Sequence, residues 1–340
     1  MTSYRFLSMY QKCKPNSEPP PKLRHKPIIF MFSGQGSNYY QMGRELFQEQ
    51  FYFRAWMEKG DWLAQKRLGT SLLEELYAPT RRKNDRFTQI RFSHPAIFLV
   101  EYSLAQALIE QGLEPDYLLG VSMGSFAALA GALTFEDAML ATIEQAEALE
   151  THCQLGGMIA ILDSPDLFEQ TPWLQQQSAL AGVNFDKHFV ISASQGKLMA
   201  IQAALKETAT TAQDLPVSYA FHSPEIDSAC ASYSNFLQDL SWQAPQLPFI
   251  CCATATERIE LPKDYLWMAV REPIRFQETI IDLETRHAWT YIDVGPSGTL
   301  ATFVKYILAA NSASDIFPIM TPFGQDVNNL EQLLRSDVGR

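Results

Sequence analysis

Cysteine is scarce in this chain, and the five present (Cys13, Cys153, Cys230, Cys251, Cys252) show neither CxxC nor metal-ligand spacing. That argues against a disulfide framework and a zinc site, and the thiols are expected to be reduced, in a cytoplasmic protein with no metal. No apolar run reaches the length of a membrane span, and the first residues lack the apolar core of a signal peptide, so neither insertion nor secretion is expected. Positive charge is also short: 27 Lys and Arg face 38 Asp and Glu, a net charge of -11 with no basic tract of the kind that grips nucleic acid. Nucleic acid and anionic membranes are therefore poor partners. One absence is local. Between Arg91 and Lys187 there is no lysine or arginine at all.

What is present is an ordinary globular composition, 46% hydrophobic and 19% charged, with length for one large domain or two unequal ones. Residues 1–26 read as a flexible arm, with Pro15, Pro19, Pro20 and Pro21 set among five basic residues. The body opens with a predicted strand over 28–32 that ends in the glycine-rich turn Ser33-Gly34-Gln35-Gly36-Ser37. Helical patterns follow, broken at Gly60 and Gly69. A helix is predicted from His94-Pro95 to Glu110, a buried strand over 117–119, a small-residue helix over 125–133, and another helix capped by Thr134. After Gly156-Gly157 come strands over 158–162, 180–184, 188–193 and 217–220, with helices over 165–177 and 195–208. That order, βαββαβ, is the split pattern of a ferredoxin-like unit. Later strands are expected over 247–253 and 291–294, and a helix over 296–310. The fold class is therefore α/β. A large body (27–156 and 220–330) carries a small ferredoxin-like insert (157–219), and 331–340 is a tail.

Chemistry concentrates in Gly120-Val121-Ser122-Met123-Gly124, where a short strand gives way to a helix. This is the pattern of a nucleophile elbow, a tight turn that raises a serine hydroxyl into a cleft. Serine needs a base. Of six histidines, His222 in Ala220-Phe221-His222-Ser223-Pro224 stands where the chain returns from the insert to the body. A backbone carbonyl can orient its ring in place of a carboxylate. Two amides suit an oxyanion: Met123, at the start of the elbow helix, and Gln35 in the glycine-rich turn. His94 is either a polar group facing the site or a helix-start residue. Arg81, Arg82, Lys83 and Arg86 form the densest basic cluster, read equally as a partner patch or a solvated loop.

Together, Phe32-Ser33-Gly34-Gln35-Gly36-Ser37, the elbow, the His222 segment, Arg271-Glu272-Pro273-Ile274-Arg275-Phe276 and Asp293-Val294-Gly295-Pro296 resemble the malonyl-CoA:acyl carrier protein transacylases and polyketide synthase acyltransferases. The resemblance runs from about Pro27 to about Pro318. It implies an α/β-hydrolase-like large subdomain, Ser122 as nucleophile, His222 as base, and the amides of Gln35 and Met123 as oxyanion hole. It also implies a carbonyl at Ala269 to orient the histidine, and an acyl pocket including Gln145, Val121, His94 and Phe221. The expected partner is an acyl carrier protein of a polyketide synthase. No cofactor is expected beyond that partner's phosphopantetheine, and the protein is expected to be a monomer.

Three departures from the family pattern narrow the reading. Val121 replaces a histidine before the nucleophile, and Ser125 replaces a glutamate after the elbow. The arginine that grips a malonyl carboxylate is absent: alignment on Phe135-Glu136-Asp137-Ala138 puts Gln145 there, and a gapless count lands on Glu147. A buried carboxylate without that planar, charge-assisted clamp is poorly compensated. The chain is thus most similar to the free-standing acyl hydrolases of trans-acyltransferase polyketide pathways, which clear acyl groups from carrier proteins. The alternative is transfer of a malonyl or neutral acyl group from CoA to the carrier.

Overall fold

The computed structural model describes residues 26–208 and 210–338. The predicted arm therefore lies, except for Lys26, outside the described residues. Eleven strands are formed: β1 (Ile28–Phe32), β2 (Tyr117–Gly120), β3 (Gly156–Ile161), β4 (Ala179–Phe185), β5 (His188–Ser194), β6 (Ala212–Asp214), β7 (Phe249–Cys251), β8 (Thr256–Arg258), β9 (Ile274–Arg275), β10 (Thr290–Asp293) and β11 (Asp315–Pro318).

β1 is apolar at every position and buried at every position, as a strand covered on both faces requires. It lies inside a six-stranded sheet of order β11-β10-β1-β2-β7-β8, parallel from β11 to β7 with β8 antiparallel at the edge. Alternation along β1 divides the core in two. Phe30 and Phe32 join one large cluster with Phe98, Phe126, Met123 and Phe221, while Ile29 and Met31 join another with Leu119, Val121, Ile250 and Tyr291. The first cluster is closed by helices Phe51–Leu68, Ile90–Glu110 and Phe135–His152.

The insert forms its own five-stranded sheet, order β6-β3-β5-β4-β9, whose first four strands have the antiparallel ferredoxin-like arrangement. Ile159, Ile161, Phe189 and Ile191 pack under its helices, whereas Met158, Ala160 and Val190 belong to the main core. Its fifth strand comes from the large body. β9 pairs in parallel with β4, and Arg275 N–H donates to Cys252 O at 2.8 Å, so residues 274–275 tie the two sheets together.

Several local expectations change. Gly60 does not break a helix; it lies inside Phe51–Leu68, where a Cβ would come within 2.2 Å of Leu99, so its bareness lets two helices close on each other. The helix expected from His94 begins at Ile90 and carries Pro95 in its interior. The expected helix over 165–177 is two short ones, Asp166–Glu169 and Pro172–Gln177, because Pro172 can begin a helix but not continue one. The small-residue helix stops at Ala128. The last strand of the insert is the exposed Ala212–Asp214, paired through its backbone with β3, and not residues 217–220, which follow Pro216. Residues 331–335, read as tail, complete the helix Asp326–Arg335, whose Leu330 and Leu333 are buried. Among the described residues no helix is long and apolar enough to cross a membrane.

Candidate active site

β1 and β2 are neighbours in register, so the turns after them meet at the carboxyl edge of the sheet, where open α/β sheets bind ligands. The elbow is pinned to β1: Val121 N–H donates to Phe32 O at 2.9 Å, and a Cβ on Gly124 would lie 2.2 Å from that oxygen. Gly34 is fixed by the same crowding, since its Cβ would meet that of Ser122 at 2.8 Å. The Gln35 turn and Ser122 can approach this closely only without those side chains.

Ser122 takes φ 54° and His222 φ 59°, left-handed values uncommon outside glycine. Strained backbone of this kind costs about 1–3 kcal/mol per residue and persists where surrounding contacts over-determine it. Ser122 Oγ and His222 Nε2 are 2.8 Å apart, with 100 residues of chain between them. The ring's other nitrogen, Nδ1, lies 2.6 Å from the carbonyl oxygen of Glu272, which fixes the proton on Nδ1 and leaves Nε2 free to accept from serine. Burial pushes the imidazole down to about 4, against a smaller upward pull from the Glu272 carbonyl; the Arg271 charge pushes it lower still. The ring is therefore neutral near pH 7.

The orienting carbonyl is not that of Ala269. Ala269 lies within the helix Tyr265–Arg271, where carbonyls run along the axis. Glu272 is the first residue beyond it and is extended (φ -80°, ψ 150°), turning its carbonyl aside. Pro273 favours this, because the residue before a proline is biased away from helical backbone. That signal was available in Arg271-Glu272-Pro273. His222 N–H donates to Val270 O at 2.9 Å, and Ser192 of β5 donates to the Phe221 carbonyl, so the helix Tyr265–Arg271 and the inserted sheet both hold the His222 segment.

The amides of Gln35, next to Gly34, and of Met123, next to Ser122, find no protein acceptor among the described residues. Beneath the Gln35 turn lies a residue that sequence reading missed. Glu101 is wholly buried in the helix Ile90–Glu110, and its Oε1 accepts from Ser33 N–H at 2.8 Å and Ser33 Oγ at 2.7 Å. Burial raises its carboxyl well above the usual range, the Ser33 hydrogen bonds opposing and the nearby Asp293 adding to the rise. An acid set among the apolar positions Leu99, Val100 and Leu104 in the middle of a helix was the available clue.

His94 and Gln145 are both fully buried, on the helices Ile90–Glu110 and Phe135–His152, and the His94 ring lies 5.6 Å from that of Phe221. His94 is thus buried within the helix and is not its start. Burial drives its pKa down to about 3; Gln145 beside it holds it up slightly, though no contact between them reaches hydrogen-bond geometry. Of the two residues the alignment offered, Gln145 is buried, while Glu147 is partly exposed and with Glu144 binds Arg67. Arg271 and Arg275 of the shared motif pair with Asp227 and Glu278. Val121, expected at the pocket mouth, packs instead in the second core cluster, apart from Phe221 and Met123. Two surface hollows of about 210 and 320 Å³ involve none of the catalytic residues.

The sequence profile of the acyl transferase domain matches residues 29–336. The chain belongs to that family. It is 46% identical over 308 residues to the polyketide biosynthesis acyltransferase homolog PksD of Bacillus subtilis (strain 168), covering 90% of this chain and 95% of that protein. It is 45% identical over 311 residues to the homolog BaeD of Bacillus velezensis, covering 91% and 96%. Its fold matches the malonyl CoA-acyl carrier protein transacylase of Clostridium perfringens with a TM-score of 0.74 over 90% of this chain and 98% of that one, at 22% identity.

Proposed function

We propose that this protein hydrolyses acyl thioesters carried on the phosphopantetheine arm of an acyl carrier protein, through an acyl-Ser122 intermediate, in polyketide biosynthesis. In the first half-reaction Ser122 Oγ attacks the thioester carbon while its proton passes to His222 Nε2. The oxyanion is met by the amides of Gln35 and Met123. The C–S bond then breaks and the leaving sulfur takes the proton from His222. In the second half, water attacks the acyl-Ser122 carbon, gives one proton to His222, and the collapsing intermediate returns the serine and frees the acid.

The observation that carries this reading is the lining at His94 and Gln145. Both are buried, and no cationic side chain among the described residues hydrogen-bonds to either. A malonyl carboxylate buried there would forfeit, on the order of several kcal/mol, compensation for its desolvation. A neutral acyl chain meets no such penalty. Support for polyketide biosynthesis and a carrier-protein partner comes from the names of PksD and BaeD and from the family. We place the reaction in the cytoplasm, performed by a monomer. The word acyltransferase in those same names favours one second reading, delivery of the acyl group from Ser122 to a carrier thiol.

The test pairs butyryl-loaded carrier protein with wild type and Ser122→Ala, following both proteins by intact mass, with malonyl-CoA in parallel. Discharge of the carrier and free butyrate from wild type alone, with no malonyl adduct, is the expected result. Malonyl passing from CoA through Ser122 to the carrier would overturn the reading.

A further inference from the structure

Eight buried side-chain nitrogen and oxygen atoms lack a hydrogen-bond partner among the described residues, and five of them belong to three residues: Gln35 Oε1, His94 Nδ1 and Nε2, and Gln145 Oε1 and Nε2. These residues are drawn together around the nucleophile. Gln35 follows Gly34, which abuts Ser122, and its Nε2 donates to Ser93 Oγ at 3.1 Å. Ser93 precedes His94, the His94 ring approaches that of Phe221, and Phe221 precedes the base. Gln145 completes the wall from the neighbouring helix.

Buried polar groups in folded proteins are almost always paired, and an unpaired one is costly. An apolar acyl chain seated against His94 and Gln145 would offer their ring and amide atoms no partner other than each other. Their chemistry is also mixed. Neutral imidazole offers one N–H and one lone pair, and the Gln145 amide offers donors and an acceptor. A carboxylate can use only the donors. A hydroxyl can use both kinds, and a ketone oxygen can accept from either donor.

Resting on the hydrolase reading above, we infer that His94 and Gln145 select acyl groups bearing an uncharged oxygen near the thioester, hydroxyacyl or oxoacyl chains, over alkyl chains of the same length. A site built to hydrogen-bond a substrate oxygen discriminates strongly against the analogue without it, because its own buried groups are then left unpaired.

The experiment uses the full chain and carrier protein loaded separately with butyryl, 3-hydroxybutyryl and 3-oxobutyryl groups. Rapid quenching and intact mass give the rate of acyl-Ser122 formation, and free acid is measured separately. The expected result is acylation of Ser122 at least about tenfold faster from the oxygenated pair than from butyryl. Gln145→Leu, or His94→Leu if the first fails to fold, should reduce that ratio to near one. Equal rates for all three groups in wild type overturn the inference, as does a preference that survives both replacements. Selective acylation followed by transfer to carrier thiol would sink hydrolysis but leave the selectivity standing. Acid release without selectivity would do the reverse. Failure of all three groups to acylate Ser122 would overturn both.

Discussion

The carbonyl oxygen of Glu272 lies 2.6 Å from Nδ1 of His222, in the place where a serine hydrolase triad has a carboxylate. The carbonyl is aimed by Pro273 and held by β9, which pairs with the inserted sheet immediately afterwards. Proline therefore acts on catalysis from outside the reacting atoms. Pro273→Ala should lower kcat about tenfold with KM little changed, since a misaligned base harms proton transfer, a step worth about 10²–10⁴. Steady-state kinetics with an acyl thioester checks this; a rise in KM at constant kcat would show a binding role instead.

The pH profile follows from the same ring. His222 must be neutral to accept the Ser122 proton, and burial lowers its pKa from 6.5 to about 4. Protonation thus switches the base off only as pH falls through about 4, not through 6.5. The acid limb of kcat/KM, measured with a small soluble thioester, should show most of the activity retained at pH 5–5.5. A midpoint near 6.5 would mean the free-enzyme ring is solvated.

Glu101 holds the start of the Gln35 turn by accepting from Ser33 N–H and Ser33 Oγ. Glu101→Gln keeps an acceptor at that point and should stay near wild type. Glu101→Leu leaves the Ser33 N–H without its acceptor, while Ser33 Oγ can turn to Ser37 Oγ at 2.9 Å, and kcat should drop about tenfold, short of the 10²–10³ expected for deleting an oxyanion donor outright. Rescue by glutamine with KM unchanged distinguishes positioning from general collapse, and circular dichroism verifies the fold.

Gly124→Ala would push a methyl against the Phe32 carbonyl, whereas Gly131 has nothing within 4 Å of its Cβ position. The first substitution should destabilise by about 1–3 kcal/mol, as overpacking does. Gly131→Ala should leave stability unchanged within about 0.5 kcal/mol. Paired urea denaturation curves decide this.

Much of the fold was legible because its signals are local and redundant. Residues 28–32 form an unbroken apolar run, Thr134 caps its helix by accepting from Asp137 N–H, and the alternation of short strands and helices after Gly156 matches the inserted sheet. Ser122 and His222 were legible from turn chemistry on either side of them. What escaped depends on tertiary contact. The exposed strand Ala212–Asp214 has no apolar pattern and exists only because β3 offers it an edge. β9 is two residues long, too short for any periodicity to register. Glu101 looked like a stray acid until Ser33 was brought to it from 68 residues away. Val121 showed the opposite difficulty: it neighbours the nucleophile in sequence, but strand alternation turns it to the other core.

The central claim is that water, not a thiol, ends the life of acyl-Ser122. A single-turnover experiment tests this most directly. Butyryl-Ser122 is formed from a limiting thioester, then mixed with a large excess of holo-carrier protein in ¹⁸O-labelled water. The account predicts butyrate carrying one labelled oxygen and carrier protein left unacylated. Butyryl reappearing on the carrier, with little labelled acid, would contradict it and make the protein a transferase for neutral acyl groups.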